Sequence, residues 1–209
     1  MSALERIAYF QSRRDEVPNQ ELARELTEKR DQAGVREIAE NLWNKDIHVQ
    51  ADCIKVLYEI GYIDPSLIAG FVEDFLKLLK SRNNRLVWGG MIALSTVAPL
   101  KADVIFAHLR DIQRAVEQGS VITVDAGVLT LAHIASANEE YDQAVFPYLL
   151  DHLRICRPKD VAQHAEKSLV AVNADNKHDF IAVLEKRKED LSATQIKRVK
   201  KVIKEAENR

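Results

Sequence analysis

A four-position signature recurs along this chain at a nearly constant interval. Each copy begins with a small residue. The second position of the signature follows three residues later, a leucine comes directly after it, and a branched aliphatic residue lies three positions beyond the leucine. The residues that open the four copies are Cys53, Gly90, Gly127 and Ala165, and their leucines are Leu57, Leu94, Leu131 and Leu169. Successive copies are 37, 37 and 38 residues apart. A fixed interval of roughly 20–50 residues is typical of proteins built from stacked repeats.

Each interval contains two helical patterns. A further series of apolar residues precedes each signature at helical spacing and keeps the same interval, as Ile38, Phe75, Ile112 and Leu150 show. Longer joints at 61–66, 99–103 and 137–142 link one pair of patterns to the next. Within each pair, the two patterns are separated by short polar segments at 44–46, 81–84, 118–120 and 157–160. Their Asn, Ser, Asp, Gly and Pro residues end one helix and cap the next. The sequence therefore predicts paired helices that pack closely at the small residues.

The ends of the chain differ from its middle. We assign four repeats to residues 35–176, an N-terminal cap to 1–34 and a C-terminal cap to 177–209, within a single domain over 1–209. The N-terminal cap is expected to hold two short helices divided near 17–19. The C-terminal cap is expected to be a pair at 179–190 and 192–207. Stacked repeats need such polar ends because the outermost helices face water.

Composition supports helices and argues against a strongly charged partner. Aromatic residues are 6% of the chain, with seven Gly and five Pro, whereas sheets favour aromatic and β-branched residues. The net charge is −2, so no overall field draws the protein to nucleic acid or membranes. Residues 35–176 carry 14 basic and 19 acidic groups, and residues 177–209 carry ten and six. We interpret the basic tail as a solvated face, with a functional patch as the alternative.

Two features favour a cytoplasmic location. Cys53 and Cys156 are too few for a disulfide framework and are expected to be reduced thiols. The first six residues lack the basic and apolar pattern of a secretory signal. We expect no apolar segment that approaches the length of ~18 residues needed to cross a membrane. The sequence thus predicts a cytoplasmic protein without membrane contact.

The second helix of each pair resembles the B helix of HEAT repeats. The clearest copy runs from Val49 to Gly61, and looser copies begin at Leu86, Thr123 and Val161. The arginine of that consensus is absent from all four copies, so a general armadillo-like description fits equally. The resemblance implies an all-α, right-handed α–α superhelix of about five helix pairs, whose second helices line a concave face. Members of this family are mostly scaffolds and adaptors for proteins, with some nucleic-acid binders and rare enzymes.

The sequence contains no motif for catalysis or cofactor binding. It has no nucleophile elbow and no phosphate-binding loop. His152 and Cys156 are four residues apart, but no third ligand has matching spacing, so we predict no metal site. The acid–histidine pair Asp160 and His164 is interpreted as a solvated surface pair. The prediction is a protein that is not an enzyme and has no cofactor.

The candidate binding residues come from the second helices. By the resemblance, positions between the core residues point into the concave face. These positions are unusually apolar in the middle copies. The candidates are the apolar Trp88, Ile92 and Leu129, with Tyr58, Lys55 and Asp125 around them. Such a patch is typical of a protein or peptide site with an aromatic anchor. The alternative is that neighbouring helices or a second copy of the chain cover it.

A nucleic-acid function is the second hypothesis. DNA glycosylases that excise alkylated bases also use a HEAT-like fold, with a basic face, aromatic residues and an aspartate near the lesion. Trp43, Trp88 and Asp125 are residues of these types. Binding to DNA requires clustered Lys and Arg, which the acidic middle of this chain offers poorly. The main prediction is therefore a scaffold or adaptor that binds a partner protein.

Overall fold

The computed structural model describes residues 2–209, and these residues form helices and turns with no strand. Eleven α-helices lie in this range: α1 (Val17–Glu28), α2 (Gln32–Glu40), α3 (Ile47–Ile63), α4 (Val72–Leu78), α5 (Asn84–Phe106), α6 (Leu109–Gln118), α7 (Val121–Ala135), α8 (Glu139–Ile155), α9 (Pro158–Ser168), α10 (Lys177–Arg187) and α11 (Ala193–Glu207). Short 3₁₀ segments occupy Leu4–Arg6, Asn41–Trp43, Pro65–Leu67, Ala69–Phe71, Leu169–Ala171 and Lys188–Asp190. After α1, the helices follow one another as five pairs, so the predicted all-α class is confirmed.

The helices begin where the polar segments of the sequence place them. Side chains of Asp46 and Asn83 accept hydrogen bonds from the backbone amides of His48 and Arg85, at 2.8 and 3.0 Å, and so start α3 and α5. At α11, Ser192 and Gln195 form a reciprocal capping box. Each cap satisfies amides that have no partner within the first turn. Local side chains therefore set the boundaries of the repeat helices.

The chain divides into two compact units, with the boundary between Gly127 and Val128. In the first unit, α1 packs along α3, α3 along α5, and α4 along α5. In the second, α9 packs on α11, and α10 packs on both α8 and α11. The single domain predicted over 1–209 stays a prediction.

The small residues of the repeat lie where neighbouring helices approach most closely. A Cβ atom added to Gly90 on α5 would lie 3.0 Å from Leu78 Cβ and 3.1 Å from the carbonyl oxygen of Phe75, both on α4. A Cβ atom at Gly127 on α7 would collide with the Val116 side chain of α6. Helices approach this closely only where one of them carries little side-chain bulk. The repeat signature thus marks tight contacts within the α4–α5 and α6–α7 pairs.

Three local expectations differ from the structure. The N-terminal cap contains one α-helix, α1, preceded by the 3₁₀ turn Leu4–Arg6, where two short helices were expected. The joint expected at 99–103 is present only as a kink inside α5, where Lys101 has a non-helical φ of −137°. Pro99 lies just before this kink, and a proline bends a helix because it has no backbone N–H to donate and its ring crowds the preceding turn. Helix α9 ends earlier than its pattern suggested, at Ser168.

Helix α5 also corrects the expectation about apolar segments. Among residues 2–209, it is the one helix long and apolar enough to cross a membrane, judged by length and composition. In the structure 56% of its apolar window is buried. A Cβ atom added to Gly89 would lie 2.7 Å from Ile54 of α3, so α5 packs tightly against its neighbours. These contacts are those of a core helix, which is apolar because it is covered by protein.

Candidate binding face

Two facing stripes of side chains in the first unit form what we call the α3–α5 face. Its residues are Lys55, Tyr58, Glu59 and Tyr62 on α3, and Arg85, Trp88 and Ile92 on α5. Residues three, four and seven positions apart lie on the same side of a helix, so each stripe is continuous. Because α3 packs along α5, the two stripes lie side by side.

Aromatic rings form the centre of this face. The ring centroids of Tyr58 and Trp88 are 6.1 Å apart, and those of Tyr58 and Tyr62 are 5.9 Å apart in an edge-to-face arrangement. Tyr58 is buried, Trp88 is half-buried, and Tyr62 is 61% exposed. Ring pairs at these separations attract one another beyond the area they bury. The cluster therefore runs from the protein interior to solvent.

A single carboxylate links the two helices beside these rings. Glu16, just before α1, accepts from Lys55 Nζ at 2.9 Å and from Arg85 Nη2 at 2.9 Å. Glu59 also pairs with Lys55 Nζ, at 2.6 Å. The same two cations lie over the rings, Lys55 Nζ 4.8 Å from the Tyr58 centroid and Arg85 Cζ 5.9 Å from that of Trp88. Ion pairs and cation–π contacts thus hold the aromatic side chains in place.

The charges and the burial shift the pKa values of these groups. Burial acts to lower the pKa of Lys55, but its hydrogen bonds to Glu59 and Glu16 outweigh this and raise it above the ordinary value. Burial is the main reason that the pKa of Tyr58 is raised. Lys55 is therefore charged, and Tyr58 is neutral, at physiological pH.

Lys55 and Tyr58 do not form the exposed rim that the repeat pattern suggested. Both are only 5% exposed, and Lys55 is neutralised by two carboxylates. Met91, the neighbour of Ile92 on α5, is fully buried as well. Lys55 is covered because the N-terminal segment ending in Glu16 contacts this part of α3. The spacing of residues within one repeat contains no information about a contact from outside that repeat.

The other candidates lie on α5 and α7. Ile92 is half-buried one turn beyond Trp88. Asp125 on α7 is close enough to act on Tyr62, whose pKa is raised first by partial burial and then by the negative charges of Glu59 and Asp125. Leu129 is half-buried and lies beyond the unit boundary. Five of the six candidates thus lie in the first unit, and a binding role for each of the six stays a prediction.

The sequence reasoning missed Glu16, Tyr62 and Arg85. Tyr62 lies four positions after Tyr58, and Arg85 three positions before Trp88, so helical spacing alone places them on the same faces. Glu16 has no such signal, because it comes from the segment before α1. What results is an aromatic cluster bordered by paired charges, with no activated nucleophile among its described residues.

The second unit brings together three side chains that can bind a metal ion. The ligand atoms of His152 and Cys156 on or just after α8, and of His164 on α9, all lie within 4.8 Å of one another. His152 Nε2 and His164 Nδ1 are 2.9 Å apart. Burial, followed by the neighbouring His164, lowers the pKa of His152 to about 4. His164 is only 4% exposed, so its interpretation as part of a solvated pair was wrong.

Comparison with known proteins identifies the fold. No known protein family matches the sequence, and no curated protein matches it either. A crystal structure of an engineered protein from the Northeast Structural Genomics Consortium is 20% identical and has a TM-score of 0.65, covering 100% of this chain and 98% of its own. A second engineered protein from the same consortium is 19% identical with a TM-score of 0.65, covering 100% of both chains.

A designed armadillo repeat protein in complex with the peptide (KR)4 has a TM-score of 0.69 and is 15% identical, covering 90% of this chain and 86% of its own. The chain has an armadillo-like helical repeat fold. The identities are low, so the likeness concerns the fold alone. The repeat architecture predicted from the interval is thereby confirmed. The more specific HEAT assignment stays a prediction.

Proposed function

We propose that this armadillo-like protein is a non-enzymatic scaffold of the cytoplasm that binds a peptide segment of a partner protein on its α3–α5 face. One observation carries the proposal: the half-buried Trp88 and the exposed Tyr62 flank the buried Tyr58, with ring centroids about 6 Å apart. Tryptophan and tyrosine supply most of the energy at many protein interfaces, because they bury a large area at low entropic cost.

The geometry favours a partner peptide that inserts an apolar side chain and has a basic residue next to it. Ile92 extends the apolar surface beyond Trp88, and the negative charge of Asp125 acts on Tyr62, whereas Glu59 is paired with Lys55. Residues 35–176 have five more acidic than basic groups, which attracts a basic segment. The designed armadillo repeat protein with this fold is in complex with (KR)4. These observations support a basic or mixed basic–apolar peptide as the partner.

Nucleic acid has less support as a partner. The basic side chains of the α3–α5 face, Lys55 and Arg85, are both paired with Glu16. Binding to nucleic acid depends on Lys and Arg side chains that neutralise phosphates and so release the counterions condensed on the nucleic acid, and intramolecular pairing opposes this. We therefore keep nucleic-acid binding as an outcome of the test. Self-association through the same face is a further outcome.

The test is selection from a displayed library of random peptides, followed by anisotropy titration of the enriched peptides. We expect the wild-type chain to enrich a family of basic or basic–apolar sequences. Trp88→Ala should weaken their binding by at least about 30-fold, the equivalent of ~2 kcal/mol for an aromatic anchor. Trp43→Ala is the matched control, because Trp43 is 52% exposed and follows α2, outside the α3–α5 face.

Two results would overturn the proposal. The first is equal affinity of the enriched peptides for wild type and Trp88→Ala, with far-ultraviolet circular dichroism showing both folded. The second is no enrichment, together with tight binding of duplex DNA that weakens steeply as salt is raised. A dimer in light scattering that Ile92→Asp dissociates would show that a second copy occupies the face instead.

A further inference from the structure

We propose that the second unit contains a zinc site formed by His152, Cys156 and His164. The proposal is independent of the function proposed for the α3–α5 face. Three ligand atoms within 4.8 Å of one another, two imidazole nitrogens and one thiol sulfur, are the donor types that zinc prefers. Hard cations such as Mg²⁺ and Ca²⁺ prefer oxygen, so this donor set selects against them.

The α8–α9 hairpin explains why these residues meet. His152 and Cys156 are four residues apart, so they lie on the same side of the helix end. The chain then turns at Pro158, the first residue of α9. His152 and His164 are each six residues from Pro158, so the turn brings them level on the two helices. The sequence already predicted a joint at 157–160. The equal distances of His152 and His164 from Pro158 are the sequence signal that identifies His164 as the third ligand.

The observed distances are close to those of a bound ion. Zinc–nitrogen bonds of about 2.0–2.1 Å and zinc–sulfur bonds of about 2.3 Å in a tetrahedron separate ligand atoms by roughly 3.3–3.6 Å. The two imidazole nitrogens are 2.9 Å apart, and no pair of ligand atoms exceeds 4.8 Å. Side-chain rotations that move each atom by about 1 Å reach coordination geometry. The ion would replace the hydrogen bond between the two imidazoles.

A neighbouring arginine holds the cysteine in position. Arg187 of α10 is buried and donates to the backbone carbonyls of Leu153 and Cys156, the latter at 2.8 Å. Its guanidinium also lies 3.9 Å from Cys156 Sγ and pairs with Asp190 at 3.0 Å. This arrangement fixes the end of α8 and places a donor beside the sulfur, as outer-shell groups do around metal-bound thiolates.

Three protein ligands leave a fourth position. His152 and Cys156 are both partly exposed, so water can reach the site, and His164 closes it from within. Asp160 is already held by Arg157, with 2.6 Å between Arg157 Nε and a carboxylate oxygen. We therefore assign the fourth position to water or to a group of a partner.

Cobalt is the probe for this site, because Co²⁺ adopts zinc's geometry and its thiolate bond absorbs in the near ultraviolet. Untagged protein, stripped with chelator and reduced, is titrated with Co²⁺ and then with Zn²⁺ against a chromophoric chelator. We expect one ion per chain, a thiolate-to-cobalt band, displacement by zinc and a higher Tm with zinc. Cys156→Ser should abolish the band. His152→Asn should weaken zinc binding by about 100-fold.

The control is His178→Asn, since His178 is exposed in the same unit and outside the cluster. It should leave the titrations unchanged. His164 is buried, so His164→Asn is interpreted only if circular dichroism shows a folded protein. The proposal is overturned if cobalt produces no thiolate band in wild type, or if wild type, Cys156→Ser and His152→Asn bind zinc with equal affinity.

Discussion

Tyr58 on α3 and Trp88 on α5 hold their ring centroids 6.1 Å apart, one buried and the other half-buried. Lys55 and Arg85 lie over the same two rings and share the carboxylate of Glu16. The chain thus orders an aromatic cluster before any partner arrives. An ordered site loses less conformational entropy on binding than a flexible one, which favours affinity.

The two tryptophans should be distinguishable by fluorescence. Trp43→Phe leaves only the half-buried Trp88, whereas Trp88→Phe leaves Trp43, which is 52% exposed. We expect the Trp43→Phe variant to emit at shorter wavelength and to be quenched less by acrylamide, because its indole is less accessible. Addition of a peptide selected for the α3–α5 face should change only this variant's emission. Equal quenching of the two variants would contradict the described burial of Trp88.

Removing the carboxylates around Lys55 should destabilise the first unit more than additively. Glu16→Gln leaves Lys55 paired with Glu59, so we expect a loss of about 1–2 kcal/mol in the free energy of unfolding. The double change with Glu59→Gln leaves a buried ammonium unpaired, and we expect about 3–5 kcal/mol. Urea unfolding of the two single variants and the double variant forms the cycle.

The matched control for this cycle is Lys55→Met in the double variant. It replaces the unpaired charge with an apolar side chain of similar length and should restore most of the lost stability. Strict additivity of the two glutamate changes would show that Lys55 is solvated when its partners are removed.

Gly90→Ala should lower stability, although alanine normally favours helices by about 1 kcal/mol over glycine. The new Cβ would lie 3.0 Å from Leu78 Cβ and 3.1 Å from the Phe75 carbonyl oxygen, and a backbone oxygen cannot move aside cheaply. We expect a net loss of about 1–3 kcal/mol, measured by thermal or urea unfolding.

Gly70→Ala is the control for this substitution, because nothing lies within 4 Å of an added Cβ there. It should be neutral or slightly stabilising, since it reduces only the freedom of the unfolded chain. A Gly90→Ala protein that is as stable as Gly70→Ala would show that α4 and α5 separate readily.

Cys53 should resist alkylation in the native protein, whereas Cys156 reacts first once the protein has been stripped of metal. Cys53 is fully buried, and burial raises its pKa to about 12, so below pH 9 its thiolate is about a thousandfold scarcer than that of a free thiol. Burial also raises the pKa of Cys156, but this thiol is partly exposed and Arg187 opposes the shift. Timed labelling with iodoacetamide and mass spectrometry measures both rates.

The same shift sets a direction for alkaline stability. Because the folded pKa of Cys53 is higher than the ordinary value of 9.0, the thiol favours the folded state below pH 9. That contribution declines as pH rises from 9 towards 12. Cys53→Ala should therefore show a shallower loss of stability over this interval. In the labelling experiment, rapid alkylation of Cys53 in the native protein at pH 8 would contradict its burial.

Local signals in the sequence predicted most of the helices. Asp46, Asn83 and Ser192 cap helices where their segments were expected to begin. The signal was less reliable at the ends of elements, since α9 ends at Ser168 and one α-helix, α1, lies where two short helices were expected. The predicted binding site stays a prediction. The sequence correctly placed Trp88 and Ile92 on one side of α5, where both are half-buried, but it did not show that Lys55 and Tyr58 are covered.

The sequence by itself determined the paired helices and the positions of their close contacts. Period and capping are local properties, and a small residue such as Gly90 or Gly127 is required where two helices approach most closely. Only the tertiary structure decided which charged side chains pair with one another and which metal-binding side chains come together. Glu16 reaches Lys55 across 39 residues, and His164 reaches His152 across a turn. Long-range pairing depends on how helices pack, and a repeat interval contains no such information.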